Sequence, residues 1–429
     1  MNRESLMALF ADSAWQEILE QLYGKEAVPV QKERYRALLD TFSTVFGEKT
    51  VGLQLFSSPG RTEIGGNHTD HNFGKVLTGS IDLDSIAVAT PTEDEFVYIY
   101  DVKYKEDFSI HSKDIEKRPG ERGAISLIRG ILRGFSERGL RIGGFKACVN
   151  SSVISAAGVS SSTSFEMLIC TILDDFYNES SVPKTVYAQI GQFAENIYWD
   201  KASGLLDQMA CAIGGLTAID FENPAIPQVR QMKKSFSDYG YGLVIVNTGK
   251  GHADLSEEYS LIPKEMKSVA SFFGKTVCRE ISKELLLEHS KDLESAVGSR
   301  AFLRALHFFE ENDRVDREVD ALENGRFDDF LKEITASGDS SWKWLQNCYC
   351  SGEIRHQEIS YTLALTDLYI RDRGWKAACR VHGGGFAGVI MAILPEKEIS
   401  EYMDFIRKAG KEPYKMNIRK IGAVNVLKM

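Results

Sequence analysis

The chain has no run approaching the ~18 consecutive apolar residues of a membrane helix, so no membrane-spanning segment is expected. Its first residues, Met1-Asn2-Arg3-Glu4-Ser5, lack the apolar stretch of a secretory leader. Cysteine is sparse: seven in 429 residues, an odd number with no CxxC pair. That excludes a disulfide scaffold and fits a reduced, cytoplasmic protein. Cys348 and Cys350 form a lone CxC, and no second Cys/His pair is spaced to complete a tetrahedral zinc site. Positive charge is also short. Lys plus Arg number 51 against 61 Asp plus Glu, a net charge of −10, which argues against nucleic-acid and anionic-membrane partners. There is no internal repeat, no low-complexity linker and no GxxxxGK[ST] phosphate loop.

What remains is an ordinary globular composition, 43% hydrophobic and 26% charged, on a chain long enough for two cores. Residues 1–48 carry Leu, Glu, Lys and Ala at helical spacing and read as two or three helices. Val51–Phe56 alternates as a strand and is expected to end in a turn at Ser57-Ser58-Pro59-Gly60. Further strands are expected in 76–90, 96–101, 145–149 and 242–247, and helices over 121–138, 161–176, 186–198 and most of 256–335. Arg380–Leu394 reads as strand, glycine loop, strand. Asn223-Pro224-Ala225-Ile226-Pro227 suggests a junction between domains 1–225 and 226–429. The expected fold class is α+β in two domains, with mixed sheets covered by helices and a cleft between them.

Three loops and one acidic segment carry chemistry. The first, Ser58 to Asn72, holds Arg61, Glu63, Asn67, His68, Asp70, His71 and Asn72. A polar surface hairpin would account for some of these, and His68 with His71 could hold a metal. So dense a set of directional donors and acceptors better suits a polyhydroxyl ligand, because a buried hydroxyl without a partner costs about 1–3 kcal/mol. The second loop, Ser155 to Ser164, has five serines and lies between a strand and a helix. One serine would serve as a helix cap. The remainder, with small residues that let the backbone come close and a helix N-terminus behind them, suit phosphate. The third loop, Val381 to Val389, contains Gly383, Gly384, Gly385 and Gly388. It formally satisfies GxGxxG, but the apolar run after it reads as a strand, so a pocket-lining hairpin is expected in place of a dinucleotide-binding turn. The fourth segment, Ala194 to Met209, contains Glu195 and places Asp207 among apolar neighbours, where a carboxylate needs a partner.

In this order, the loops resemble the three motifs of the galactokinase/homoserine kinase/mevalonate kinase/phosphomevalonate kinase (GHMP) superfamily, and most closely its galactokinase branch. Gly60, Arg61, Gly66, His68, Thr69, Asp70 and Asn72 match the sugar motif G-R-x-N-L-I-G-E-H-T-D-Y-N. Gly158 and Ser160-Ser161-Ser162 match G-x-G-L-S-S-S-A, the glycine loop matches G-G-G-F-G-G except at Ala387, and Gly204-Leu205-Leu206-Asp207-Gln208 resembles C-G-I-M-D-Q. Asn247-Thr248 through His252 to Tyr259 resembles a further galactokinase stretch, so the similarity runs over roughly residues 50–394. Departures stand at Glu63 for Asn, Asn67 for Glu, His71 for Tyr and Ser203 for Cys.

The resemblance implies a kinase that uses ATP and Mg²⁺ and phosphorylates the anomeric hydroxyl of galactose, acting as a monomer or weak dimer. It implies catalytic roles for Arg61 and Asp207, and sugar binding by Asn67, His68, Asp70, Gly204 and Tyr259. Phosphate binding falls to Ala156, Ala157, Gly158, Val159, Ser160, Ser161 and Ser162, and metal binding to Ser162 and Glu195. Asn67 and His71 lie among the implied sugar contacts, so N-acetylgalactosamine, arabinose or a uronic acid are alternative acceptors. A galactose and ATP sensor without chemistry is a further alternative, against which an intact Arg61, Asp207 and serine loop argue. Because ATP is polyanionic, one positive pocket is expected in an otherwise acidic protein.

Overall fold

The computed structural model describes residues 1–154, 158–201, 203–249, 256–350, 352 and 354–429. Ala156, Ala157 and His252 lie outside the described residues. Three helices, α1 (Arg3–Phe10), α2 (Ser13–Tyr23) and α3 (Val28–Phe46), lead the chain, as the spacing predicts. Asp12 caps α2 by accepting from the Ala14 N–H, and a proline in the first turn starts α3.

The strands are β1 (Gln54–Gly65), β2 (Lys75–Pro91), β3 (Phe96–Asp101), β4 (Glu106–His111), β5 (Phe145–Ser151), β6 (Leu216–Asp220), β7 (Gln228–Gln231), β8 (Tyr241–Asn247), β9 (Ala378–His382), β10 (Val389–Pro395), β11 (Glu412–Met416) and β12 (Val424–Asn425). The larger sheet runs β12-β1-β2-β5-β3-β4, with β6 on β2 and β7 on β6; it is mixed, since β3 pairs β5 in parallel. The smaller sheet runs β11-β8-β10-β9 and is antiparallel throughout. Asn223–Pro227 connects β6 to β7. β12 returns the C-terminus to the larger sheet, beside β1.

Between the strands lie α4 (Ala124–Glu137), α5 (Ser161–Tyr177), α6 (Lys184–Phe193), α7 (Leu206–Ile213), α8 (Ser256–Phe272), α9 (Lys283–Glu288), α10 (Ser290–Val297), α11 (Ser299–Glu323), α12 (Phe327–Ser340), α13 (Glu358–Asp372) and α14 (Ile399–Lys408). None of the described helices is long and apolar enough to cross a membrane.

Alternation along the strands sends neighbours to opposite faces. Leu55, Ile86 and Val88 pack on α1–α3, while Phe56, Ala87 and Ala89 pack on α4–α6. In the smaller sheet Val244, Ile390 and Leu394 face α13 and α14. A further core joins Ile64, Leu77 and Ile81 of the larger sheet to Leu243, Ile245 and Met391 of the smaller one, through α11 and α12. The two sheets are thereby held across one apolar seam.

The turn expected at Ser57–Gly60 is absent: these residues are buried strand, and β1 runs on to Gly65 with register shifts at Pro59/Arg61 and Glu63/Gly65. Small residues are needed here for packing, because a Cβ on Gly60 would lie 2.7 Å from the Val159 carbonyl. The bulges absorb the missing Pro59 N–H and re-aim the side chains that follow.

Asp84, on β2, ties the leader and tail to the sheet. Its fully buried carboxylate accepts from Arg34 Nη1 (2.5 Å), Arg419 Nη1 (3.0 Å), Tyr23 Oη (2.6 Å) and Ser57 Oγ. Burial alone would raise its pKa, but the two guanidiniums outweigh it and hold the group below its ordinary 3.8. Asp84→Asn should therefore cost about 3–5 kcal/mol at pH 7, read as a lower urea midpoint. Because the folded pKa is depressed, the ionised form contributes fully above the unfolded value near 4 and loses that contribution as pH falls through the lower folded value. The gap between wild type and variant should close below about pH 4; an equal gap at pH 7 and pH 3 would remove the charge from this role.

Candidate functional site

The bulged end of β1 points Arg61 at the first turn of α7. Arg61 Nε and Nη2 donate to the two oxygens of Asp207, at 2.6 and 2.9 Å, in a bidentate pair. Arg61 Nη1 donates to the Gly158 carbonyl, and the Arg61 backbone N–H to the Val159 carbonyl at 3.2 Å. The first loop, the second loop and the acidic segment thus meet at one guanidinium. Burial would raise the Asp207 pKa; Arg61 first, then Ser160 and Lys201, bring it below the ordinary value, so the group is ionised at neutral pH.

Ser160 adopts a left-handed backbone, φ 59°, unusual for a residue with a side chain, and its hydroxyl donates to Asp207 Oδ2 at 2.5 Å. The serine loop therefore serves the carboxylate as well as any phosphate. Gly158, φ 63°, lies under Val389 of β10, and a Cβ there would approach Val389 Cγ2 to 2.9 Å. α5 starts directly after this loop with no side-chain cap, leaving its first-turn N–H groups for another partner.

Past β1 the chain turns through 66–74. His68 Nε2–H donates to the Gly384 carbonyl at 2.9 Å, and its ring lies 5.2 Å from Tyr259 of α8. Burial, with His71 alongside, pulls the His68 pKa down to about 3, so the ring is neutral. Asp70 lies against Gly204: a Cβ on Gly204 would sit 1.7 Å from Asp70 Oδ2, so only glycine fits. His71 Nε2 is 3.4 Å from the Tyr259 hydroxyl. Tyr259 also packs on Gly384, whose Cβ would come within 2.6 Å of the ring. The third loop is the hairpin between β9 and β10, as its sequence predicts.

Asn67 is placed differently from the sugar contact expected of it. Its fully buried amide donates to Glu63 Oε1 and the Gly383 carbonyl, both at 2.8 Å, and accepts from Asn347 Nδ2 at 2.9 Å and Ser341 Oγ at 3.3 Å. Both amide hydrogens and the oxygen are engaged within the protein, so the side chain holds the loop to the hairpin. Glu63 in turn meets the buried Arg380 guanidinium at 2.9 Å. Relative to the motif, Asn and Glu have exchanged places and bond to each other.

Ser162 Oγ donates to Glu195 Oε1 at 3.2 Å. Glu195 is fully buried and also meets Gln208 Nε2 (3.0 Å) and Lys201 Nζ (2.5 Å). Beside it, Glu166 Oε1 and Gln208 Oε1 are buried without hydrogen-bond partners among the described residues. This hard-oxygen set fits Mg²⁺, which binds one or two carboxylates and leaves its remaining positions to phosphate and water. No cluster of three or more His, Cys, Asp or Glu that could hold a metal occurs among the described residues. Arg61 and Lys201, the cations at this site, are each matched by a carboxylate. Lys201 and Glu166 escaped the sequence reading, because neither matches a motif position and only the fold brings them together.

The galactokinase galactose-binding signature matches residues 40–91, and the GHMP kinases N terminal domain matches residues 126–215. The chain is 28% identical to a galactokinase of Actinobacillus pleuropneumoniae over 361 residues, 81% of this chain and 86% of that one. It is 28% identical to a galactokinase of Lactococcus lactis over 372 residues, 85% and 89%. The crystal structure of Lactococcus lactis galactokinase complexed with galactose superposes with a TM-score of 0.77 at 26% identity, covering 91% of this chain and all of that one. Motifs, fold and relatives agree: over most of its length the chain is similar to galactokinases of the GHMP kinase superfamily.

Proposed function

We propose that this protein is a galactokinase, an ATP-dependent phosphotransferase that moves the γ-phosphoryl group of ATP to the anomeric hydroxyl of galactose. The observation that carries the reading is the Arg61–Asp207 pair, set between the serine loop on one side and His68, Asp70, Gly204 and Tyr259 on the other. A donor and an acceptor substrate would meet at that pair.

Phosphoryl transfer is catalysed mainly by positioning and charge stabilisation. His68, Asp70, the open backbone at Gly204 and Tyr259 hold sugar hydroxyls. Residues 158–162, with the N-terminus of α5, cradle the phosphates. Ser162 and Glu195 would hold Mg²⁺, which would supply positive charge against the phosphates. Asp207 accepts a hydrogen bond from the anomeric hydroxyl and aligns its oxygen with the γ-phosphorus. The new O–P bond forms as the bond to the β-phosphate oxygen breaks, and ADP leaves with that electron pair. The hydroxyl proton passes to Asp207 and on to solvent. Since Arg61 keeps the Asp207 pKa low, the carboxylate is a weak base, so it orients the hydroxyl first and takes the proton late. Arg61 stabilises charge on the moving phosphoryl.

The halves expected either side of residue 225 divide these tasks: 1–225 supply the catalytic pair and phosphate loop, and 226–429 supply Tyr259 and the glycine hairpin. The reading carries the reaction to the cytoplasm, where ATP is available and cysteine thiols stay reduced, in a monomer or weak dimer. A second reading, another acceptor sugar, is favoured by the commitment of Asn67 to the protein and by His71 beside Tyr259.

ADP release measured with galactose, N-acetylgalactosamine, arabinose and galacturonate should give the highest kcat/KM with galactose. A preference for another sugar would establish the second reading, and no turnover with any would remove the enzyme. Asp207→Asn should lower kcat about 10³-fold or more while the galactose Kd changes little; near-wild-type turnover would take Asp207 out of the mechanism.

A further inference from the structure

Glu195 is a fully buried carboxylate, and a buried charge needs a cation or a dense set of donors. Ser162 and Gln208 give it two neutral hydrogen bonds. Its one cationic partner among the described residues is Lys201, whose Nζ lies 2.5 Å from Oε1, the same oxygen that accepts from Ser162. The Lys201 backbone N–H also donates to the Glu195 carbonyl at 3.0 Å, which holds the start of the lysine side chain over the acid. The lysine side chain is 45% exposed, so its flexible stem can carry the ammonium elsewhere. The Trp199 ring, with its centroid 5.4 Å from Nζ, offers a nearby cation–π seat.

We propose that Lys201 is a tethered competitor of the divalent cation: its ammonium and the metal ion exchange for Glu195 Oε1. The inference rests on the reading of Ser162 and Glu195 as the metal's ligands. An ammonium in contact with that oxygen occupies the position a metal would take, and two cations cannot share it without strong repulsion in a buried setting. Lys201 thus keeps Glu195 compensated when the metal is away and makes metal binding weak unless phosphates arrive with it.

The test is Mn²⁺ binding to the full-length protein without nucleotide, by calorimetry and by loss of the free Mn²⁺ paramagnetic resonance signal. Lys201→Met and Lys201→Gln should each bind Mn²⁺ at least about 10-fold tighter than wild type, because a positive charge has left the site. Lys201→Arg should not. Melting temperature should fall in the two neutral variants and be restored by Mn²⁺ more than in wild type. If Glu195→Gln weakens Mn²⁺ binding while both neutral Lys201 variants bind no tighter than wild type, competition is overturned and the metal site stands. If Glu195→Gln leaves Mn²⁺ binding unchanged, the metal-site reading fails and the competition with it.

Discussion

The bidentate pair between Arg61 and Asp207 is the interaction on which the rest of the site depends. It joins residues 146 positions apart. Two ions taken out of water gain from each other only when geometry is close and their remaining groups are satisfied. The fold supplies both conditions: the Gly158 carbonyl takes a third Arg61 donor, and the Ser160 hydroxyl donates a third hydrogen bond to Asp207. The pair needs β1 to continue past Pro59 without turning, Gly60 to admit the Val159 carbonyl, and α7 to begin at Leu206.

A second layer of buried polar contacts fixes the relation between the two sheets at the site. Asn67 to Gly383, His68 to Gly384, Glu63 to Arg380, and the Glu63 N–H to His382 Nε2 at 3.1 Å all run from the β1–β2 region to the glycine hairpin. Each buried partner would be costly to leave unpaired, so the hairpin is positioned by hydrogen bonds as well as by the apolar seam.

Much of this was legible in the sequence. The helical leader, most strands, the serine loop before α5 and the hairpin nature of the third loop follow from periodicity and from small-residue clusters. The error at Ser57–Gly60 has a physical origin: residues small enough to turn are also small enough to pack under a helix, and composition cannot tell the two apart. The place of Asn67 was hidden because its partners Gly383, Asn347 and Ser341 are more than 270 positions away. Lys201 and Glu166 were hidden for a different reason: both lie near Glu195 in the chain, but each becomes notable only when Glu195 is buried beside it. The motifs nominate residues for chemistry; the tertiary contacts show which of them face one another.

At the site Arg61 and Lys201 are each already paired with a carboxylate, so neither is a free cation waiting for a polyanionic donor. The most direct test of the central claim is phosphorus-31 nuclear magnetic resonance of the product formed from ATP, Mg²⁺ and galactose. The account predicts one new phosphomonoester coupled to the anomeric proton, with ADP formed in equal amount. A phosphate on any other sugar carbon, or ADP without sugar phosphate, would contradict it.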